Sequence, residues 1–133
     1  IGLPAIYASL TDLLLRARRR VTLITPTFDS TLFGLAVSLV RNSPSTRVTI
    51  VTYIPPGKRK KELETAEEYG TITVYNYEAK DLYACFRDDE EILFGYKREG
   101  EEVSAIRSAS YSMVELFKDR VNETVIRKSK RLV

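Results

Sequence analysis

The chain has 133 residues, 44% of them hydrophobic and 29% charged, which is enough for one domain with an apolar core of its own. Its single cysteine, Cys85, excludes an internal disulfide, and the lack of any histidine excludes a Cys/His zinc site. The formal net charge is +3 with acids and bases interleaved, and no apolar run approaches the ~20 residues that span a bilayer. Lys, Arg and Glu are abundant, Gln and Trp are absent, and Met and Cys occur once each, the bias toward ionic surfaces expected of a thermophile. No secretory signal opens the chain, so a cytoplasmic location is expected. The opening Ile1-Gly2-Leu3-Pro4 lacks an initiator Met and reads as a piece cut from a longer protein.

In chain order, Leu3, Ile6, Tyr7, Leu10, Leu13, Leu14 and Ala17 recur at helical spacing and predict a first helix ending in Arg18-Arg19-Arg20, cations that suit a last turn. Residues 20–25 read as a short buried strand stopped by Pro26. Asp29 or Ser30 can cap a second helix carrying Leu32, Phe33, Leu35, Ala36, Leu39 and Val40. A strand over 47–53 follows, then Pro55-Pro56-Gly57 and a polar helix over 58–69 with Gly70 as its stop. Residues 71–75 form a third strand. Beyond Tyr77 the pattern changes to strands over 81–87, 92–97 and 103–108, with turns at Asp88-Asp89 and around Gly100, an antiparallel arrangement. Ser110 or Ser112 can cap a last helix, Ser112 with Glu115 as a capping box, burying Met113, Val114, Leu116, Phe117 and Val121. The fold class expected is α/β in one domain over 1–133: a mixed sheet of parallel βαβ units followed by an antiparallel meander, with helices on both faces.

The segment Asp81-Leu82-Tyr83-Ala84-Cys85-Phe86-Arg87-Asp88, followed by Glu91-Ile92-Leu93-Phe94-Gly95-Tyr96, resembles the phospholipase D signature. In that signature a His-x-Lys on a strand precedes an Asp and then a Gly-Ser. Asp81 takes the place of the nucleophilic His, Tyr83 that of the Lys and Tyr96 that of the Ser, while Asp88 and Gly95 match. The motif (Asp81, Tyr83, Asp88, Gly95) is vestigial: that chemistry forms a covalent phosphoryl intermediate on an imidazole, and this chain has none. A degenerate domain of this kind resembles the effector domain of archaeal TrmB-type transcription regulators, which join it to an N-terminal winged helix. The resemblance implies a non-catalytic, ligand-sensing or dimerisation domain, a homodimer, a small polar effector such as a sugar, no cofactor, and DNA contacted only through a domain this chain lacks.

Candidate ligand-binding residues follow from two patterns. Thr25, Thr27, Asp29, Thr52 and Tyr53 close the first two strands, where open α/β sheets bind ligands, although Asp29 equally reads as a helix cap. Alternation puts Asp81, Tyr83, Cys85 and Arg87 on one strand face, either lining the vestigial cleft or lying on a wet sheet surface. The run Lys58-Arg59-Lys60-Lys61 reads first as one side of helix ion pairs with Glu62, Glu64, Glu67 and Glu68. With the basic tail 127–131, otherwise a frayed end, it supplies the alternative function: a free-standing nucleic-acid- or partner-binding domain. Asp88-Asp89 and Glu90-Glu91 read as a hairpin turn in which Asp favours the backbone geometry and Glu is solvated, and no metal site is expected.

Overall fold

A computed structural model describes residues 2–78, 80–97, 100 and 103–133. The elements follow as α1 (Leu3–Arg16), β1 (Arg20–Ile24), α2 (Ser30–Asn42), β2 (Arg47–Thr52), α3 (Lys60–Glu68), β3 (Ile72–Asn76), β4 (Leu82–Arg87), β5 (Glu91–Lys97), β6 (Val103–Ser108), α4 (Tyr111–Arg120), a π-helical turn (Val121–Ile126) and β7 (Lys130–Arg131). The α/β class and the mixed sheet agree with expectation. Seven strands lie in the order β6-β5-β4-β1-β2-β3-β7. β1, β2 and β3 are parallel, and β4, β5 and β6 form the antiparallel meander. β4 does not continue from β3; the chain returns across the sheet and pairs β4 antiparallel to β1, opposing Ile24 to Ala84 and Val21 to Arg87.

Both faces of the sheet are covered. On one, Val21, Leu23, Val48, Ile50, Ile72, Val74, Tyr83, Cys85 and Leu93 meet Ile6, Leu10, Leu13 and Leu14 of α1 and the apolar side of α2. On the other, Ile24, Val51, Ala84, Phe86 and Ile92 meet Val114 of α4 and Val121 and Val125 of the π turn. A fully buried Leu or Ile contributes about 1.5–3 kcal/mol, so the α1 row (Ile6, Leu10, Leu13 and Leu14, each at most 1% exposed) is a principal source of stability. Alternation along β4 therefore separates two cores rather than a core from solvent. The wet face expected for Tyr83 and Cys85 is buried, because α1 lies over it.

Several local expectations are corrected. α1 ends at Arg16, and Arg18, Arg19 and Arg20 lie beyond its last turn. α3 starts at Lys60, after Arg59 in the left-handed region (φ 60), and ends on an extended Tyr69; Gly70 does not take the left-handed cap conformation. Only one of the expected α3 ion pairs forms among the described residues, Arg59–Glu62 at 3.9 Å. Ser112 sits inside α4, so its capping box does not form; Ser110 is the N-cap and makes no side-chain cap bond. Leu116 is exposed rather than buried: two residues on from Val114 it lies about 200° round α4, while Phe117, Val121 and Val125 continue the Val114 side at three- and four-residue spacing. The basic tail is no frayed end: β7 adds to β3, opposing Tyr75 to Arg131 and Asn76 to Lys130. Gly100 has φ 76, as a turn needs, while residues 98, 99, 101 and 102 of that expected turn lie outside the described residues.

Candidate functional site

The antiparallel β1–β4 pairing gathers some of the candidate residues and parts others. Thr25, Thr27, Asp29, Thr52 and Tyr53 stand at the carboxyl ends of β1 and β2. With Ile24 opposite Ala84, Tyr83 and Asp81 come to that same end of the sheet, Asp81 in the turn just before β4 rather than on it. Arg87 is four residues further along β4, roughly 13 Å away at the usual strand rise, and belongs to the opposite end. The eight-residue set therefore reduces to seven.

Several of the seven are committed to the fold. The Thr25 hydroxyl donates to the Thr27 carbonyl at 2.8 Å and shares a 3.1 Å bond with the Thr52 hydroxyl; both threonines are buried. Asp29 accepts from the Leu32 N–H at 2.8 Å and is the N-cap of α2. Tyr53 is 39% exposed. Tyr7 of α1, which sequence reasoning assigned only to the helix stripe, meets Tyr83 edge to face with ring centroids 5.9 Å apart. Burial raises the pKa of both phenols, aided at Tyr7 by Tyr83 and the Asp29 charge and at Tyr83 by the Asp81 charge. Both hydroxyls are therefore neutral near neutral pH, able to donate or accept. Asn76 was also missed; its side chain exchanges two 3.0 Å bonds with the Ile54 backbone and holds the loop after β2 against β3.

At the opposite end, Asp88 stands in the expected hairpin turn, but its side chain is buried, 2% exposed. Its Oδ2 accepts the Arg18 N–H at 2.9 Å, and its Oδ1 the Arg19 and Arg20 N–H groups at 2.7 and 2.9 Å. Burial works to raise its pKa, but the three backbone donors and Arg87 outweigh it and hold the carboxyl below its ordinary value. Asp88 and Asp89 both have positive φ (52 and 56), and the Glu90 N–H bonds the Arg87 carbonyl at 2.9 Å. This is a primed turn built on Asp-Asp. Left-handed backbone costs about 1 kcal/mol per residue, whereas each hydrogen bond to a charged group is worth about 1.5–3 kcal/mol, so the clasp outweighs the strain.

Glu91, expected to be solvated in that turn, is largely buried. It starts β5 and accepts from Arg16, Arg87 and Arg107 at 2.7, 3.2 and 2.8 Å, and Asp12 joins Arg16 and Arg107 from α1. Burial opposes this, but the three arginines hold the Glu91 carboxyl below its ordinary value. The network ties α1 to β4, β5 and β6. Cys85 is fully buried, and burial pushes its thiol up to about 12. Gly95 faces the first core, where an added Cβ would stand 3.3 Å from the Ala105 Cβ and 3.6 Å from the Ile6 Cδ1. Asp88 and Gly95 thus both have structural work in this chain. The basic run of Lys58, Lys60 and Lys61 crosses into the first turn of α3, where the macrodipole disfavours cations, and Arg59 stacks on Phe28 at 4.8 Å.

No helix among the described residues is long and apolar enough to cross a membrane. Neither a protein-family model nor a curated protein sequence matches the chain. Solved structures do. TrmBL2, an archaeal chromatin protein with a novel mode of DNA binding, is 20% identical with a TM-score of 0.76 over 97% of this chain and 52% of its own. Nuc, a phospholipase D family member from Salmonella typhimurium, is 9% identical with a TM-score of 0.67 over 94% and 89%. NucT from Helicobacter pylori is 13% identical with a TM-score of 0.66 over 96% and 91%. The chain has the phospholipase D-like fold, shared by TrmBL2 and by Nuc, and spans about half the length of TrmBL2.

Proposed function

We propose that this domain is a non-catalytic effector or dimerisation module of an intracellular transcription regulator. The observation that carries the reading is chemical. On a fold whose phospholipase D signature needs an imidazole and an ammonium, the corresponding positions hold Asp81 and the buried Tyr83, and the sequence contains no histidine. A carboxylate there repels a phosphate diester instead of attacking it. The fold shared with TrmBL2, a chromatin protein, supports the regulatory context.

The end of the sheet bearing Asp81, Tyr83, Tyr7, Thr27 and Tyr53 suits a neutral polyhydroxylated ligand such as a sugar, met by neutral phenols, a hydroxyl and a carboxylate. Ligand binding there, next to α1, shifts the geometry of a homodimer and so repositions DNA-binding domains supplied by other sequence. Two measurements test this. Isothermal titration with a panel of neutral mono- and disaccharides is expected to give binding that Asp81→Asn and Tyr83→Phe each weaken about tenfold, one hydrogen bond to a charged or buried group being worth that much. Equal affinity in the wild type and both variants removes the site. Turnover of bis(p-nitrophenyl) phosphate by the purified chain refutes the non-catalytic assignment.

A further inference from the structure

The end of the sheet remote from that site carries a dense cluster of arginines. Arg18, Arg19, Arg20 and Arg47 line, with Ser45, one cleft of about 550 Å³ at the amino ends of β1 and β2. Each of the four is exposed. An adjoining cleft shares Arg18 and Arg19 and reaches Arg87, whose Nε is buried with no hydrogen-bond partner among the described residues.

Two features set this cluster apart from the chain's other arginines. Arg16, Arg87 and Arg107 have carboxylates within 3.2 Å, in the Glu91 network. Arg18 and Arg47 make no side-chain hydrogen bond or ion pair among the described residues, and Arg19 and Arg20 reach only Glu90 and Asp89, at 3.5 and 3.6 Å. Arg19 also donates to the Asp88 carbonyl at 2.8 Å, which positions the guanidinium without neutralising it. Counting Arg87, which pairs with the Asp88 carboxylate at 3.4 Å, five arginines face Asp88, Asp89 and Glu90, a surplus of two charges in one place on a chain whose whole net charge is +3.

The second feature is rigidity. Every backbone polar group of the three consecutive arginines is engaged. Their N–H groups go to Asp88, and their carbonyls accept from the Thr46 hydroxyl, the Arg47 N–H and the Asp88 N–H. Side chains on a backbone so held lose less freedom on meeting a ligand than those of a mobile basic tail.

We propose that the Arg18-Arg19-Arg20/Arg47 cleft is a binding site for the phosphodiester backbone of double-stranded nucleic acid, read without regard to base sequence. Guanidinium groups fork onto phosphate oxygens, and such pairings release condensed counterions while positioning the partner rather than specifying it. The site goes beyond the regulator reading, in which DNA is reached through another domain, and does not depend on it.

The test is fluorescence anisotropy of an end-labelled duplex titrated with the whole chain over a salt series. The chain is expected to bind, and the pair Arg18→Ala with Arg47→Ala to weaken binding about tenfold or more. The same pair should flatten the slope of log K against log salt by about two, near 0.9 for each phosphate no longer neutralised. Arg18→Gln with Arg47→Gln, which keeps more of the side-chain stems, is expected to behave alike, with thermal melts by circular dichroism matching the wild type. Lys60→Ala with Lys61→Ala is expected to leave affinity unchanged. Three results overturn the proposal: a wild type that does not bind the duplex at low salt, affinity insensitive to the arginine pairs but abolished with the lysine pair, or binding of inorganic phosphate without binding of duplex.

Discussion

Replacing Asp88 with Asn isolates the carboxylate of the buried clasp. The side chain keeps its shape, and Asn tolerates the positive φ of 52 at this turn position, so neither packing nor backbone strain should change much. What changes is the acceptor set. Oδ1 now takes two N–H groups and Oδ2 one, at 2.7–2.9 Å, and an amide offers a single oxygen. Whichever way the amide turns, its NH₂ faces at least one backbone N–H, a stranded donor costing about 1–3 kcal/mol, while the surviving bonds lose the assistance of the charge. The expected loss is about 2–4 kcal/mol, a fall in melting temperature of roughly 6–16 °C for a domain this size. Urea denaturation followed by circular dichroism measures it, with an unchanged m-value showing that the folded and unfolded states keep their compactness.

The same variant carries a pH signature. The folded carboxyl lies below its ordinary value, so its contribution is fully present above the unfolded pKa of about 3.9 and is lost as pH falls through the lower folded one. Wild type should therefore lose its advantage over Asp88→Asn below about pH 4. A difference under about 0.5 kcal/mol at neutral pH, or one that persists unchanged into acid, refutes the clasp.

Two further outcomes follow from the core. Cys85 should resist iodoacetamide in the folded chain and react fully once unfolded, because burial both shields the thiol and pushes its pKa to about 12; mass spectrometry reads the adduct, and rapid labelling of folded protein contradicts its placement. Gly95→Ala should destabilise by about 1–2 kcal/mol, since its methyl meets the Ala105 Cβ and Ile6 Cδ1 between packed layers; a neutral or stabilising result in urea denaturation means that β5, β6 and α1 separate more readily than their packing indicates.

Much of the fold was legible because it is written in local periodicity. The three-and-four spacing of Ile6, Leu10, Leu13 and Leu14 has one explanation, a helix with a buried side, and the short runs at Val21 and Val48 are each followed by a proline, Pro26 and Pro55. Caps set by neighbouring residues were readable too, as at Asp29, whose partner is three positions away. The errors cluster where a residue's fate depends on something distant. Tyr83 and Cys85 alternate correctly along β4, but period two says which residues share a face, not what covers it. Lys130 and Arg131 are exposed as charges, but they read as a frayed end because a two-residue strand has no pattern of its own; only the open edge of β3 makes them one.

The candidate site divides in the same way. Composition alone removed the imidazole chemistry, since a nucleophile that is absent from the sequence cannot be supplied by any fold. Residue types at strand ends also pointed to Thr25, Thr27 and Asp29. Tertiary structure decided that β4 returns beside β1, which brings Tyr83 to those residues and carries Arg87 to the far end. It also decided that Asp88 closes on three N–H groups 68–70 residues earlier in the chain. A buried carboxylate must find donors, and an N–H beyond a helix end must find an acceptor. Each need is visible in one dimension, but the match between them exists only once the sheet has formed.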